Sequence, residues 1–207
     1  MAVTKTQVVL SLYQTVRTLS ETIAIKEAYT ATHQHNVSHL ARTIGQVMEL
    51  DTDIVDGIRI GATLHDFGII RIPGAILSKP DKLTEQEYEI MKQHPVHGFQ
   101  ILKSIDFPWP VGRMILQHHE RLDGSGYPGG ISGDSIILEA RIIAVADIVD
   151  SMISVRPWRK ALPIETALAE IKKYKGIKYD SAVVDACVEI YTNQPRLLDP
   201  EYYGRNG

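Results

Sequence analysis

Cysteine is nearly absent from this sequence, and that absence narrows the classes of protein it can encode. The 207 residues include one Cys. A single thiol cannot support a disulfide scaffold, a zinc ribbon or a cysteine-ligated iron–sulfur cluster. The scarcity of Cys favours a cytoplasmic location, where thiols stay reduced. A metal site made of His and carboxylate side chains is still allowed, because the sequence contains eight His.

The chain also lacks long apolar runs and a large excess of charge of one sign. No run approaches the roughly 20 apolar residues of a membrane-spanning helix. The segment Met1–Leu10 lacks the basic and apolar regions of a signal peptide. The net charge is −3, from 22 basic and 25 acidic residues, which indicates no general affinity for nucleic acids or membranes. We therefore expect no DNA partner and no membrane insertion for this chain.

Hydrophobic periodicity is helical along almost the whole chain. Apolar residues recur at steps of three and four, and no segment alternates with a period of two, so the pattern predicts an all-α fold. Thr84 and Glu87 have the spacing of a capping box at the start of one helix. Linkers are predicted over residues 73–83 and 123–133, the second with five of the fifteen glycines. The predicted helices cover about residues 33–49, 52–65, 84–104, a segment after 110, 138–153, 163–174 and 180–191.

Residues 1–30 are predicted to form a separate N-terminal helix, and residues 31–207 to form one domain. Apolar residues of the first segment step by three and four as in a heptad repeat. Two interpretations are equally favoured: an amphipathic helix packed on its own domain, and a coiled coil that links or dimerises the protein. The heptad positions are Val9, Leu12, Val16, Leu19 and Ile23.

Three histidines fall on the first helix of the predicted domain. His33 lies on the same face as Val37 and Leu40, the apolar stripe. A lone buried His is more often a hydrogen-bonded core residue than a metal ligand. His35 and His39 align with polar residues, so we expect them on a solvated face.

The other five histidines lie on later predicted helices, one beside an aspartate and four in two pairs. His65 points inward at a helix end, beside Asp66, and the two oxygens of a carboxylate can bridge two cations. A capping role for Asp66 is the simpler alternative. His94 and His97 share one helix, and periodicity does not choose between them. The adjacent residues 118 and 119 are both His, which packing alone does not readily explain.

Asp147 gives the strongest physical argument for a metal. It lies in a segment that is apolar on every face, so its carboxylate is predicted to be buried. An isolated buried carboxylate costs several kcal/mol, and either an arginine or a metal offsets that cost. Because the sequence also holds the His set, a metal is favoured. The candidate ligands exceed the four that zinc usually takes, and they suit two cations about 3.5–4 Å apart.

The most distinctive motif resembles a known family. The segment His118–Pro128 reads HHERLDGSGYP and resembles the HHExxDGxGYP signature of HD-GYP proteins. His65-Asp66 resembles the signature of HD-domain phosphohydrolases in general. Residues 29–34 resemble the family's first ligand segment, and residues 142–147 with the RPWR of 156–159 resemble its closing segment. The resemblance covers about residues 27–190.

The resemblance implies both a fold and an activity. The fold is an HD-domain helical bundle with a dimetal site in its core. The activity is a metal-dependent phosphodiesterase of bacterial second-messenger signalling. Such enzymes hydrolyse cyclic di-GMP to pGpG, and in some members to GMP, by attack of a metal-bridging hydroxide on phosphorus. Some members prefer a related cyclic dinucleotide.

The resemblance also implies roles for individual residues. Asp66 would bridge the two metals and position the hydroxide. Two divalent transition metals are expected, with Fe or Mn favoured and Zn, Co or Ni also compatible with the ligands. The implied metal ligands are His33, His65, Asp66, His94, His118, His119 and Asp147. The implied substrate-binding residues are Arg156, Arg159 and Tyr127. The implied structural residues of the GYP loop are Asp123, Gly124, Gly126 and Pro128.

Two positions depart from the family pattern. The family usually reads HDxGK, but this chain has Ile69 in place of the Lys. This departure motivates a second hypothesis: a weakly active or inactive signalling module that binds a cyclic dinucleotide, or a protein partner at the GYP loop. Members with three metals carry a Glu where this chain has Tyr29, so two metals are expected. A mononucleotide phosphohydrolase is a third reading, and the GYP signature argues against it.

Overall fold

A computed structural model describes residues 11–12, 14–16, 18–20, 28–155 and 159–193, with the backbone alone for residues 28–31. These residues form helices and the loops between them, and no strand occurs among them. The predicted all-α class is therefore confirmed. Among the described residues, no helix is both long enough and apolar enough to span a membrane.

The described helices surround one long central helix. Two 3₁₀ helices, Phe67–Arg71 and Gly133–Ser135, lie in the connections. The α-helices are α1 (Ala28–Val47), α2 (Thr52–Leu64), α3 (Gly74–Leu77), α4 (Glu85–Met91), α5 (His94–Leu102), α6 (Val111–Gln117), α7 (Leu138–Ile153), α8 (Ile164–Lys173) and α9 (Ser181–Asn193). Helix α7 packs against α1, α2, α6, α8 and α9, and the main hydrophobic core surrounds it.

Helix α7 has the predicted bounds of 138–153, and its sequence is apolar on nearly every side. Ten of its sixteen residues are buried. A helix that is apolar on every side is stable only when neighbours cover it all round. Its two buried carboxylates, Asp147 and Asp150, therefore lie inside the domain, where each must find a partner.

The region before the site differs from prediction in two places. The helix expected over 84–104 is divided into α4 and α5 at Lys92 and Gln93. Pro95 explains the division, because proline disfavours helical geometry in the residue before it and donates no backbone hydrogen bond. The capping box at the start of α4 is present, since Thr84 and Glu87 each accept a hydrogen bond from the other's backbone amide. The expected linker 73–83 contains the single turn α3.

The described part of the N-terminal segment is helical and packs against the domain. Val16 is buried in the main core, and Leu12 packs against that core. Leu19 is 39% exposed, and Val9 and Ile23 lie outside the described residues. These contacts favour a helix packed on its own domain. The division at residue 30 and a dimer through this helix stay predictions.

Gly68 brings the first 3₁₀ helix into direct contact with α5. A Cβ atom at this position would lie 1.9 Å from the carbonyl oxygen of His94 and 2.4 Å from the amide nitrogen of Gly98. Only glycine permits this approach of two backbones. Asp66, two residues earlier, is thereby held beside the first turn of α5.

We expect Gly68→Ala to destabilise the domain strongly, because the added methyl group would force the 3₁₀ helix away from α5. Overpacking of this kind costs about 1–3 kcal/mol or more. Gly74→Ala is the matched control, because nothing lies within 4 Å of a Cβ atom there, and it should change stability by less than about 0.5 kcal/mol. Urea denaturation measures both, and equal losses of stability would contradict the packing argument.

Candidate metal centre

The structure brings all seven predicted ligand side chains to one place. They come from five segments of the chain that meet where α1, α2, α5, α6 and α7 converge. His119 has a side chain that is 17% exposed, and the other six residues are buried. The set is His33 on α1, His65 and Asp66 after α2, His94 on α5, His118 and His119 after α6, and Asp147 on α7.

Asp66 lies between two sets of histidines. Its Oδ1 is 3.1 Å from Nε2 of His94 and 3.9 Å from Nε2 of His118. Its Oδ2 is 3.5 Å from Nε2 of His65 and 3.8 Å from Nε2 of His33. Each carboxylate oxygen therefore faces a different set, which is the arrangement that a bridging carboxylate requires.

The cluster divides into two half-sites that share Asp66. The His33 half-site consists of His33, His65 and Asp66, and the His94 half-site consists of Asp66, His94, His118 and His119. In each, the candidate ligand atoms all lie within 4.8 Å of one another. Asp147 spans the two half-sites, with Oδ1 3.1 Å from Nε2 of His33 and Oδ2 3.8 Å from Nδ1 of His119.

Three histidines owe their orientation to the ends of helices. The last carbonyl groups of a helix have no partner within the helix, so they accept hydrogen bonds from nearby donors. The Nδ1–H group of each of these histidines donates to such a carbonyl, three residues earlier. This bond directs Nε2 into the cluster, and an imidazole that keeps its single proton on Nδ1 presents a free Nε2 lone pair to a metal. The bonds run from His65 to Ala62 (2.7 Å), from His94 to Met91 (2.9 Å) and from His118 to Ile115 (2.7 Å).

The Nε2 atom of His65 tests whether the cluster fits a metal. It is fully buried and has no hydrogen-bond partner among the described residues. Buried polar atoms nearly always have a partner, because leaving water without one is costly. A divalent cation bound between Nε2 and the Asp66 carboxylate would provide it, and imidazole nitrogen with carboxylate oxygen is a usual ligand set for transition metals.

The pKa values of two carboxylates and two histidines of the cluster are shifted in favour of the protonation states that metal binding needs. Burial favours the neutral carboxyl, but nearby histidines hold the pKa of Asp66 and of Asp147 well below the ordinary value. Burial lowers the pKa of His118, and it lowers the pKa of His119 to about 3. Ionised carboxylates and neutral imidazoles are the forms that coordinate metals.

His33 differs from the other histidines because carboxylates lie at both of its nitrogens. Burial disfavours its charged form, but hydrogen bonds to Asp147 and Asp150 raise the pKa of His33 to about 10. Without a cation, a proton is thus held on the ring between two carboxylates. A metal at Nε2 would take the place of that proton.

Five residues of the cluster line an open cleft of about 510 Å³ and form its floor: His33, Asp66, His94, His119 and Asp147. The cleft is large enough for more than the metals alone. Two arginines, Arg121 and Arg159, line it together with Tyr88 and Tyr127. One wall is apolar and includes Ile69, Leu77, Leu83 and Met91. The cleft therefore combines an anionic and imidazole floor with cationic and apolar walls.

Comparison with known proteins agrees with this geometry. A family model described as an HD domain matches residues 17–183. The chain belongs to the HD-domain family. This match and the sequence relatives described next together confirm the resemblance to HD-GYP proteins, and the predicted helical architecture is confirmed as well.

Two proteins similar in sequence and one similar in fold illustrate the likeness of this chain to known proteins. The cyclic di-GMP phosphodiesterase response regulator RpfG of Xanthomonas campestris pv. campestris is 41% identical over 84% of this chain and 46% of its own length. A cyclic di-GMP phosphodiesterase of Thermotoga maritima is 39% identical over 86% of this chain and 49% of its own length. A solved cyclic GMP-AMP specific phosphodiesterase of Vibrio cholerae has a TM-score of 0.70 at 18% identity, over 94% of this chain and 52% of its own. This chain spans about half the length of these relatives.

Of the three residues predicted to bind the substrate, two line the cleft and the third lies outside the described residues. Tyr127 lies in the cleft with its ring stacked on His119, at a centroid distance of 4.6 Å. Arg159 also lines the cleft, where its guanidinium donates to the carbonyls of Ser151 and Met152 at the end of α7. Arg156 lies outside the described residues.

The residues predicted to shape the GYP loop lie in a loop that packs on the segment after α6. Asp123 accepts hydrogen bonds from the amide and hydroxyl of Ser125, at 3.0 and 2.6 Å, and Gly124 has a φ of +77°. A Cβ atom on Gly126 would lie 2.4 Å from the Cα atom of Glu120, so the loop packs directly on the segment after α6. Pro128 follows a cis peptide bond and is exposed.

Sequence reasoning missed four residues around the site. Glu120 is buried, and its Oε1 accepts a hydrogen bond from the amide of Gly129 at 2.6 Å, which fixes the GYP loop. Arg121 enters the cleft and lies over the ring of Tyr179. Asp150 and Asn36 form a hydrogen-bonded group behind His33. The second aspartate of the segment 138–153, one helical turn after Asp147, was the signal that could have identified Asp150.

The other three histidines of the HD domain stay outside the cluster. His35 and His39 lie on α1, and His97 lies on α5, one turn after His94. All three are half-buried. His35 and His39 thus lie on a face of α1 that is only partly open to solvent, together with the exposed Gln46.

Ile69, which replaces the usual Lys of the family, is part of a small second core. It is 8% exposed and packs with Ile72, Ile76 and Leu77, and together with Leu77 it forms part of the apolar wall of the cleft. The position faces the same cleft as the cluster, so the departure from the family pattern removes a positive charge from the site.

Proposed function

We propose that this chain is a metal-dependent phosphodiesterase that hydrolyses a cyclic dinucleotide, with cyclic di-GMP as the substrate and pGpG as the first product. The observation that carries the proposal is the buried cluster of histidines and carboxylates at the floor of an open cleft. Two relatives named cyclic di-GMP phosphodiesterases support the choice of substrate. A further step to GMP is the extension that the family resemblance suggests.

We assign two divalent metals to the two half-sites, with Asp66 as the bridging ligand and Fe or Mn favoured. The ligands proposed are His33, His65, Asp66, His94, His118, His119 and Asp147. The oriented Nε2 atoms and the unsatisfied Nε2 of His65 support this assignment. Metals bound there would supply a nucleophilic hydroxide at neutral pH and neutralise negative charge on the phosphoryl group.

The residues of the chain would bind and orient the substrate. Hydrolysis breaks the bond between phosphorus and the 3′-oxygen and adds the elements of water, which leaves a 5′-phosphate and a 3′-hydroxyl. The guanidinium group has five N–H donors, so Arg159 keeps donors for a phosphate after its two bonds to α7. Arg121 is a second candidate on the same cleft, and Arg156 stays a predicted contact. Tyr127 would limit the position of the substrate above His119.

A weakly active signalling module is the second candidate function, and Ile69 is the observation that favours it. A positive donor near developing negative charge lowers the barrier of phosphoryl transfer. This chain has a buried apolar side chain at that position instead. A partner protein at the exposed GYP loop would fit such a role. A homodimer through the N-terminal helix and a cytoplasmic location also stay proposals.

The first test measures metal and activity in the same samples. The purified chain, loaded with Mn²⁺ or Fe²⁺ under reducing conditions, should convert cyclic di-GMP to pGpG, as followed by chromatography. Asp147→Ala and His118→Ala should each bind well below two metals per chain, and activity should fall by about 10²-fold or more, because metal catalysis contributes several kcal/mol. Elemental analysis gives the metal content.

His97→Ala is the matched control for that experiment. His97 is a half-buried histidine one turn from His94 but outside the cluster. Its removal should leave metal content and turnover nearly unchanged. Nucleotide binding without any hydrolysis over hours would overturn the enzyme proposal in favour of the signalling module. Unchanged metal content in both ligand variants would refute the ligand assignment.

The second test concerns the missing positive charge. We expect Ile69→Lys to raise kcat by roughly tenfold, a fraction of the 10²–10³ that a well-placed donor contributes. Ile69→Met is the control, because it gives an unbranched side chain without charge. A rise with both variants would mean that the shape of the cleft wall, and not charge, limits turnover. No rise with Ile69→Lys in a folded variant would show that the replaced Lys does not account for the rate.

A further inference from the structure

His33 differs from the other Nε2-directed histidines in what holds its second nitrogen. His65, His94 and His118 each donate Nδ1–H to a backbone carbonyl. Nδ1 of His33 instead lies 2.6 Å from Oδ2 of Asp150, a carboxylate. A charged acceptor holds an imidazole more firmly than a carbonyl does and makes its other nitrogen a better metal ligand.

The position of Asp150 is unfavourable unless the carboxylate has a specific partner. Asp150 is 2% exposed and lies in the last turn of α7, which ends at Ile153. Burial of a carboxylate costs several kcal/mol, and the negative end of the helix dipole adds to that cost. Replacing a buried ion pair with apolar residues is often neutral or stabilising, so stability alone does not account for this residue.

Two side chains of helix α1, His33 and Asn36, form hydrogen bonds with the Asp150 carboxylate. Asn36 lies three residues after His33, on the same face of α1. Its Nδ2 donates to Oδ1 of Asp150 at 2.9 Å, while His33 occupies Oδ2. Ser154 makes a longer contact of 3.3 Å to Oδ2. Both oxygens are therefore tied to α1, and the plane of the His33 ring is fixed relative to α7.

The fixed ring directs Nε2 of His33 at the two carboxylates of the cluster. Nε2 lies 3.1 Å from Oδ1 of Asp147 and 3.8 Å from Oδ2 of Asp66. None of the contacts of Asp150 reaches His94, His118 or His119 among the described residues. The direct contacts of Asp150 are therefore confined to the His33 side of Asp66.

We propose that Asp150 is a positioning residue for the metal of the His33 half-site, and that the His94 half-site does not depend on it. This inference rests on the proposed dimetal function. Loss of such a supporting carboxylate typically lowers metal affinity by about 10–100-fold. The two half-sites should therefore become separable: without the Asp150 carboxylate, the chain loses one metal and keeps the other.

The test compares Asp150→Asn with the wild-type 207-residue chain. Asn keeps an acceptor for Nδ1–H but removes the charge. Mn²⁺ is titrated into metal-free protein, and the bound metal is followed by calorimetry and electron paramagnetic resonance. The wild-type chain should bind two Mn²⁺ that show the spectrum of a magnetically coupled pair. Asp150→Asn should bind one Mn²⁺ with wild-type affinity and the second about 10–100-fold more weakly, and it should show the resolved spectrum of isolated Mn²⁺ at one equivalent.

Ser154→Ala is the matched control, because it removes the weakest contact to the same carboxylate and should keep the coupled pair. If Asp150→Asn does not fold, Asn36→Ala replaces it, and a smaller loss confined to one metal is expected. Two unchanged affinities would overturn the inference, and so would equal weakening of both sites, which would indicate a general structural effect. A wild-type chain that binds fewer than two Mn²⁺ would overturn the proposed dimetal function itself, a result distinct from failure of the Asp150 variant alone.

Discussion

Asp66 is a carboxylate buried in the centre of a helical domain, with histidine nitrogens facing both of its oxygens. A charge in that position is stable only when partners surround it. The partners come from helices far apart in sequence, so the packing of α1, α5 and α6 must be correct before Asp66 can be buried ionised. Gly68 meets one of these packing requirements, because only glycine lets the 3₁₀ helix that follows Asp66 contact the backbone of α5.

The carbonyl groups at the ends of three helices orient three histidines of the cluster. His65 and His118 are the residues at which α2 and α6 terminate, and His94 follows the end of α4. In each case the unpaired carbonyl of the helix end accepts the Nδ1 proton, so the same bond completes the helix and prepares Nε2 for a metal. His33 lies inside α1, where the carbonyls are already paired, and it therefore needs the Asp150 side chain as its acceptor.

Much of this arrangement is readable from local sequence, and the rest depends on packing between helices. The bounds of α7 follow from a segment with no polar face, and the capping box at Thr84 marks the start of α4. Periodicity could not choose between His94 and His97, because the choice depends on how α5 meets the 3₁₀ helix. The roles of Asp150 and Arg121 arise from contacts between α1 and α7 and from a loop conformation, which spacing along the chain does not encode.

Anomalous diffraction from crystals grown with Mn²⁺ tests most directly the proposal that Asp66 bridges two metals at the floor of the cleft, because it locates each metal independently of activity. The account predicts two anomalous peaks about 3.5–4 Å apart, one beside each oxygen of Asp66 and each within bonding distance of the histidines of its half-site. A single peak, or two peaks that do not share Asp66, would contradict it.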